Sequence, residues 1–341
     1  MAPIRLTVVV PAYNEAEVLP LFHARLVGVL DGMALDARVI YVDDGSHDGT
    51  WRVLDRLMGQ DPRIGALRLS RNFGKEAALT AGLDAVTDDA DAIVIIDADL
   101  QDPPELIPDL LARWRDGYDV VYATREHREG ESWFKRATAH LFYRLMARMA
   151  AFNLPHDTGD FRLMSARAVA ALRQLRERQR FMKGLFGWIG YPHTAVMYQR
   201  YPRQAGRTKW NYWRLFNLAV EGITSFSILP LRLATAVGVA TSVCAFSYGA
   251  GVFIKAVLWG DPVKGYPSLM VVVLVLGGLQ LLALGVVGEY LGRVYAEVKQ
   301  RPIYLIETAC QVPMMPPPYS TARADALPSV AAASLPTEDP R

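Results

Sequence analysis

Two periods of hydrophobic and polar residues alternate along the first third of the chain. Short apolar runs bounded by polar residues are typical of buried β-strands, and the longer segments between them carry apolar residues at helical spacing. A βαβα order of this kind predicts an α/β domain with a mostly parallel sheet and helices on both faces. The predicted strands are Leu6–Pro11, Arg38–Val42, Gly65–Leu69, Ala92–Ile96 and Val120–Ala123, and the predicted helices are Glu15–Leu30, one beginning near Ser46 or Asp48, and Lys75–Val86.

Two long apolar segments follow in the second half of the chain. Leu231–Trp259 has one charged residue in its interior, Lys255, and Ser268–Gly288 has none. Each is longer than the roughly 20 residues that cross a bilayer core. We therefore expect a two-helix transmembrane hairpin over 231–292, with spans of about 231–259 and 268–290. A buried helical hairpin inside a soluble domain is the alternative.

Basic residues flank the outer ends of this predicted hairpin, whereas its linker has only Lys264, balanced by Asp261. The positive-inside rule then places the N-terminal α/β domain and both termini in the cytosol, on the inner (cytoplasmic) membrane. Residues Met1 to Thr7 are too short for a secretory signal, which agrees with that location. The flanking basic residues are Arg207, Lys209, Arg214 and Arg232 before the hairpin, and Arg293, Lys299 and Arg301 after it.

The domain boundaries follow from these patterns. We expect a cytosolic α/β domain over 1–205, a juxtamembrane amphipathic segment over 206–230, the hairpin, a cytosolic juxtamembrane segment over 293–311, and a disordered tail over 312–341. Trp210, Trp213 and Phe216 interleave with basic residues just before the hairpin, as at a lipid headgroup layer. A second basic, apolar segment beginning at Trp133 has the spacing of an interfacial helix, or of one packed in the soluble core.

Composition excludes several functions. The formal net charge is only +2, so no electrostatic argument points to nucleic acid. The two cysteines, Cys244 and Cys310, lie in unrelated contexts, which disfavours a disulfide framework or a thiolate metal site. Neither a Gly-x-Gly-x-x-Gly motif after a strand nor a P-loop motif is present, which disfavours a dehydrogenase or a P-loop NTPase.

Polar clusters occur where predicted strands end, the edge at which parallel sheets bind ligands. In the cluster 97–102, Asp97 and Asp99 would project to one side of an extended chain. Two carboxylates and the Gln101 amide suit Mg²⁺ or Mn²⁺, which also bind phosphates; a solvated acidic turn is the alternative. Asp43 and Asp44 could bind a ribose or base edge or cap a helix, and Tyr13 could stack on a base or pack. Their co-location makes a nucleotide site plausible.

Five motifs together resemble the family 2 glycosyltransferases of the GT-A fold. Within that family the chain is most similar to the polyprenyl-phosphate glycosyltransferases, which include dolichol-phosphate mannose synthases and bactoprenol glucosyltransferases. The resemblance covers roughly residues 6–300, and the anchor and the segment Arg128–Arg136 bring it closest to the bactoprenol enzymes. The motifs are Val9–Glu15, Val42–Ser46, Leu69–Glu76, Asp97–Asp102 and Asp157–Leu163.

The resemblance implies residue roles. Asp99 and Gln101 would bind Mg²⁺ or Mn²⁺, and Asp97 and Asp99 would face the diphosphate. Asp157 and Asp160 would orient the acceptor or Arg162, or else cap a loop. The nucleotide-binding residues would be Pro11, Ala12, Tyr13, Glu15, Asp43, Asp44, Asp97 and Ala98; the catalytic ones would be Asp97, Asp99, Arg125, Asp157 and Asp160; and Arg125 would contact the diphosphate or acceptor phosphate. Because a diphosphate and an acceptor phosphate are both anions, the cationic residues Lys135, Arg136, Arg203, Arg207 and Lys209 are further candidates for binding them.

The implied reaction is the inverting transfer of a hexose, glucose from UDP-glucose, onto undecaprenyl phosphate at the cytosolic membrane face. Three alternatives remain open: another donor, such as GDP-mannose or a UDP-linked amino-arabinose; a non-catalytic scaffold of the same fold; and a polysaccharide synthase subunit. The last is disfavoured because the Gln-x-x-Arg-Trp motif is missing. The expected partners are therefore the nucleotide sugar, the polyprenyl phosphate and membrane lipid, and glycines in the hairpin permit a homo-oligomer.

Overall fold

The computed structural model describes residues 3–125, 158–178, 180–198, 229–259 and 265–312. Within these residues, eight strands form one sheet in the order β7-β5-β6-β4-β1-β2-β3-β8. The strands are β1 (Ile4–Ala12), β2 (Leu35–Asp43), β3 (Ile64–Leu69), β4 (Ala92–Ile95), β5 (Val120–Arg125), β6 (Thr158–Ser165), β7 (His193–Tyr198) and β8 (Ile306–Cys310).

Helices lie on both faces of this sheet, and two long helices follow the domain. They are α1 (Leu19–Asp31), α2 (Thr50–Gln60), α3 (Lys75–Asp84), α4 (Ile107–Arg115), α5 (Ala166–Gln174), α6 (Met182–Trp188), α7 (Leu229–Trp259) and α8 (Tyr266–Lys299). A 3-10 turn over Pro104–Leu106 leads into α4.

The central strands pair in parallel and are buried on both faces. Strands β4, β1, β2 and β3 pair in parallel, and Val8, Val9 and Val10 are completely buried in β1. A continuous apolar run of this kind is typical of a parallel sheet covered by helices. On one face α3 packs so closely that a Cβ added at Gly82 would lie 2.4 Å from a methyl carbon of Val9. The predicted α/β architecture with a mostly parallel sheet is confirmed.

Antiparallel strands extend the sheet at both sides. Strand β6 lies between β4 and β5 and is antiparallel to both, and β8 is antiparallel to β3 at the far edge. The sequence analysis predicted neither strand. It placed Asp97 and Asp99 on an extended chain, with an acidic turn as the alternative, and the structure has a turn with Leu100 at φ 58°. Strand β4 ends at Ile95, so Asp97 and Asp99 are brought together by the turn and not by strand alternation.

The two long helices α7 and α8 pack against each other. In the described part of the chain, one stretch, Val275–Lys299, is long and apolar enough to cross a membrane, and Leu233–Ala245 is a shorter apolar stretch. Helix α8 continues to Lys299, beyond the predicted end of the second span at 290. The pair of helices is therefore present, and two membrane spans stay a prediction.

The structure also bears on the predicted segments beyond the hairpin. Residues 306–310 form β8 of the catalytic sheet, although the predicted boundaries place them in a separate segment over 293–311. The segments 206–228 and 313–341, and the basic segment beginning at Trp133, lie outside the described residues.

Candidate active site

A cavity of about 420 Å³ opens at the carboxyl ends of β1, β2 and β4. Most of its lining comes from the ends of these strands and the polar clusters that follow them, and the rest from the loop between β3 and α3 and the first turn of α3. The lining residues are Pro11, Ala12, Tyr13, Glu15, Asp44, Asn72, Gly74, Lys75, Ala78, Asp97, Ala98 and Asp99. Seven of the eight predicted nucleotide-binding residues are thus brought to one cavity, together with Asp99.

The loop after β1 is held by hydrogen bonds from the turn after β2. The amide of Asn14 donates to Ser46 Oγ at 2.9 Å, and the amide of Glu15 donates to Thr50 Oγ1 at 2.9 Å. In return the amide of His47 donates to Asn14 Oδ1 at 3.0 Å. Asn14 has a φ of 55°, a left-handed conformation that asparagine adopts more readily than most residues. These bonds fix the wall that carries Tyr13 and Glu15.

Asp43, the eighth predicted nucleotide ligand, does not line the cavity. Its side chain is completely buried, and its Oδ1 accepts a hydrogen bond from the Ser46 amide at 2.9 Å. Its Oδ2 makes no hydrogen bond and lies 3.6 Å from Arg68 Nε. In this structure Asp43 shapes the turn behind the cavity wall, and its direct contact with a nucleoside stays a prediction.

Asp44 joins the second turn to the loop after β3. Its carboxylate accepts hydrogen bonds from the amides of Phe73 at 2.8 Å and Gly74 at 2.9 Å. Burial raises the pKa of Asp44, and these two amides oppose that rise. Gly45 permits the close approach, since it has a φ of +65° and a Cβ there would lie 2.4 Å from the Arg71 carbonyl carbon.

Lys75 bridges two carboxylates that come from different strands. Its ammonium lies 2.6 Å from Asp97 Oδ2, after β4, and 2.5 Å from Asp160 Oδ2, on β6. Burial would raise the pKa of Asp160, but the Lys75 charge and neighbouring cations lower it to about 2. Burial raises the pKa of Asp97, and the two carboxylates raise the pKa of Lys75 against the effect of its own burial. One ammonium, that of Lys75, therefore faces the two carboxylates of Asp97 and Asp160 beside the cavity.

Asp160 was predicted to orient the acceptor or Arg162. In the structure its carboxylate pairs with Lys75, and Arg162 donates to the backbone carbonyls of Gly159 at 2.8 Å and Asp160 at 3.2 Å, so orientation of the acceptor by Asp160 stays a prediction. The Arg162 guanidinium is buried over the Phe186 ring, and this burial lowers its pKa to about 10. Arg162 thus holds the backbone from which Asp160 reaches Lys75.

The predicted metal ligands occupy the turn after β4. Asp99 lines the cavity, and its Oδ1 accepts a hydrogen bond from the backbone amide of Gln101 at 3.1 Å. Gln101 is buried beneath the turn, and Asp102 behind it accepts a hydrogen bond from the Tyr198 hydroxyl. Among the described residues, no group of three or more His, Cys, Asp or Glu side chains could enclose a metal. The Asp99 carboxylate at the cavity is a hard oxygen ligand of the kind that suits a divalent cation bound through one or two carboxylates.

Several predicted site residues are not brought to the cavity by any described contact. Arg125 is the last residue of β5, and its side chain lies outside the described part. Outside the described residues altogether are Asp157, Lys135, Arg136, Arg203, Arg207 and Lys209.

The residue roles assigned from sequence omit Lys75, Asn72 and Gly74, although all three line the cavity. The available signal was their position directly after β3, inside the motif Leu69–Glu76. Local spacing could not reveal that Lys75 would meet Asp160, because 85 residues separate the two.

Comparison with known proteins bears on the same regions. Residues 7–173 match the model of "Glycosyl transferase family 2", and residues 229–294 match the model "GtrB C-terminal hairpin". The chain is 44% identical over 303 residues, 89% of its length, to the "Prophage bactoprenol glucosyl transferase homolog" of Escherichia coli, and covers 98% of that protein. The protein belongs to glycosyltransferase family 2.

Two further relatives are similar to this family 2 glycosyltransferase over most of its length. It is 51% identical to the "Uncharacterized glycosyltransferase sll0501" of Synechocystis, over 89% of this chain and 95% of that one. It is 44% identical to the "Bactoprenol glucosyl transferase" of Shigella phage SfX, over 89% of this chain and 99% of that one. The glycosyltransferase therefore shares both its catalytic region and its hairpin region with these relatives, and its sheet is of the GT-A type.

Proposed function

We propose that the glycosyltransferase transfers glucose from UDP-glucose to undecaprenyl phosphate at the cytosolic face of the membrane, with inversion at the anomeric carbon. The observation that carries this proposal is the similarity to the bactoprenol glucosyl transferase of phage SfX over 99% of that protein's length. The similarity includes the hairpin as well as the catalytic region, so it supports a common acceptor as well as a common chemistry.

The nucleotide sugar would bind in the cavity at the carboxyl ends of β1, β2 and β4. Tyr13 exposes 41% of its surface at the cavity, which leaves its ring available to stack on a base. Asp99, with Gln101 after local rearrangement, would hold Mg²⁺ or Mn²⁺ against the diphosphate. When bound, the metal supplies positive charge that stabilises the departing diphosphate.

The acceptor phosphate needs little help from a general base. A phosphate monoester has a second pKa of about 6 and is largely ionised at neutral pH. Its oxygen would attack the anomeric carbon as the bond from that carbon to the diphosphate oxygen breaks, and the nucleoside diphosphate would leave. Because two anions must approach each other, cationic side chains are needed. Lys75 lies at the cavity, and Arg125, Lys135, Arg136, Arg203, Arg207 and Lys209 are the further candidates.

Asp160 would contribute by keeping Lys75 in place. Its carboxylate is held ionised by the Lys75 ammonium, so the pair would present a fixed dipole to the reacting groups. Asp157, three residues earlier in the chain, is the other candidate for orienting the acceptor.

The membrane arrangement is part of the same proposal. Helices α7 and α8 would form a transmembrane hairpin with the catalytic domain on the cytosolic side, consistent with the apolar stretch Val275–Lys299. The candidate site would then face the level at which a lipid phosphate leaves the bilayer. Glycines of α8, such as Gly277 and Gly285, have open space around the position of an added Cβ, which would permit a second copy to pack there.

The proposal can be tested with detergent-purified protein, undecaprenyl phosphate, Mg²⁺ or Mn²⁺ and a panel of radiolabelled nucleotide sugars. We expect metal-dependent label in the organic phase from UDP-glucose and little from GDP-mannose or a UDP-linked amino-arabinose. Asp99→Ala should abolish transfer while leaving membrane insertion intact. Absence of label from every donor, with folded protein, would contradict the proposal. Label from another donor would show that the transferred sugar is not glucose.

A further inference from the structure

We propose that strand β8, which follows the long helices, supports one wall of the donor site, and that Glu307 and Arg68 are positioning residues for that wall. The inference rests on the proposed function, since the ligand whose binding it affects is the nucleotide of the sugar donor. It assigns a role in donor binding to a segment that the cavity lining does not include.

The first step is the pairing of β8 with β3. Strand β8 runs antiparallel to β3 with Thr308 opposite Arg68, and the amide of Ser70 donates to the Leu305 carbonyl at 2.9 Å. Tyr304 adds a hydrogen bond from its hydroxyl to Asp84 Oδ2 at 2.8 Å. The chain that leaves α8 is therefore bound to the strand and loop from which Asn72, Gly74 and Lys75 reach the cavity.

The second step is an arginine placed between two carboxylates. Arg68 Nε lies 3.4 Å from Glu307 Oε2 on β8 and 3.6 Å from Asp43 Oδ2 at the end of β2. Both Arg68 Nε and Asp43 Oδ2 are buried and lack a hydrogen bond, so Arg68 is the described cation that faces Asp43 Oδ2, while Asp43 Oδ1 is bonded to the Ser46 amide. The guanidinium also lies over the Trp51 ring, with 5.8 Å to its centroid.

The third step leads from Asp43 to the cavity wall. Asp43 Oδ1 accepts from the Ser46 amide, and Ser46 Oγ accepts from the Asn14 amide, both at 2.9 Å. Asn14 lies between Tyr13 and Glu15, which line the cavity. Glu307 thus acts through Arg68 and Asp43 on the loop after β1, a continuous chain of contacts from the end of the hairpin to the donor cavity.

The size of the effect follows from exposure. Glu307 exposes 52% of its side chain and Arg68 32%, and ion pairs of this kind are weak. Glu307→Gln should therefore raise the KM for the nucleotide sugar about two- to fivefold. Arg68→Met leaves the buried Asp43 uncompensated and should raise that KM by about tenfold or more.

The variants are tested in the full-length protein by UDP titration and by transfer kinetics. We expect the donor KM and UDP affinity to change, with kcat and the acceptor KM within about twofold of wild type. Glu307→Gln should add nothing in the Arg68→Met background, because it acts through Arg68. Arg68→Lys should restore part of the loss, and it keeps the test open if Arg68→Met fails to fold.

Asp31→Asn is the matched control. Asp31 is an exposed carboxylate that lies 2.7 Å from Arg63, and Arg63 comes directly before the first residue of β3. None of the described contacts of Asp31 reaches the cavity. It should leave UDP binding unchanged. Unaltered UDP binding in Glu307→Gln, or an additive effect in the double variant, would overturn the inference. If wild-type protein bound no nucleotide, the proposed function itself would fail instead.

Discussion

At the scale of single residues, Lys75 is the cation that two carboxylates share at the candidate site. Without its ammonium, Asp97 and Asp160 would face each other with no cation between them. Lys75 exposes 41% of its side chain, so solvent partly screens the two carboxylates and the loss is smaller than for a fully buried ion pair. We predict that Lys75→Met lowers kcat/KM for transfer by about tenfold or more. Lys75→Arg, which keeps the charge, should retain more activity, and a Lys75→Met enzyme within fivefold of wild type would contradict this assignment.

Glu76, the neighbour of Lys75, makes stability depend on pH. Burial and the charge of Asp160 raise the pKa of Glu76 from 4.5 to about 7. Between these values the unfolded chain has lost the proton that the folded protein keeps, so stability falls as pH rises from about 4.5 to about 7.

We predict that Glu76→Gln removes much of the decrease in Tm over this pH range, measured by thermal unfolding in detergent. Glu105→Gln is the control, because Glu105 is paired with Arg25 at 2.8 Å and that bond lowers its pKa against the effect of burial. The control should leave the decrease in place. An equal slope in wild type and Glu76→Gln would show that Glu76 is not the titrating group.

At the scale of secondary-structure elements, the turn after β2 and the loop after β3 must approach each other closely. An added Cβ at Gly45 would meet the Arg71 backbone at 2.4 Å, and its φ of +65° disfavours any L side chain. We predict that Gly45→Ala destabilises the protein by about 1–3 kcal/mol and raises the donor KM, since both sides of the cavity shift.

Gly59, in α2, supplies the control for that substitution. A Cβ there would have nothing within 4 Å, and alanine favours a helix over glycine by about 0.5–1 kcal/mol. Gly59→Ala should therefore leave transfer unchanged and the melting temperature equal or higher. If Gly45→Ala behaved in the same way as Gly59→Ala, the close approach of the two loops would not matter for the donor.

The elements also show what the sequence can reveal. Strands β1 to β5 were predictable because each is an apolar run bounded by polar turns, and their parallel order followed from the helices between them. The edge strand β8 was not, because it is a short strand whose pairing depends on β3, more than 230 residues earlier. The left-handed conformation of Leu100, which turns the chain after Asp99, could not be predicted, because nothing in the local pattern signals it.

At the scale of the whole molecule, the catalytic domain and the long helices are joined at more than one point. Helix α8 ends in a residue at φ 47°, Gln300, and the chain then returns to the sheet as β8. The amide of Arg178, between α5 and α6, also donates to Glu297 Oε1 near the end of α8 at 2.6 Å. Under the proposed membrane arrangement, a domain joined to the long helices in this way suits an acceptor that stays in the membrane.

The central claim is that the acceptor is a lipid phosphate, and the most direct measurement compares acceptors. Purified wild-type protein would be incubated with UDP-[¹⁴C]glucose and one of three acceptors: undecaprenyl phosphate, undecaprenol or a water-soluble phosphate monoester. The products would be identified by mass spectrometry. Our account predicts a hexosyl phosphodiester of undecaprenol from the first acceptor and little transfer to the other two. Equal transfer to undecaprenol, or transfer only to the soluble phosphate, would contradict it.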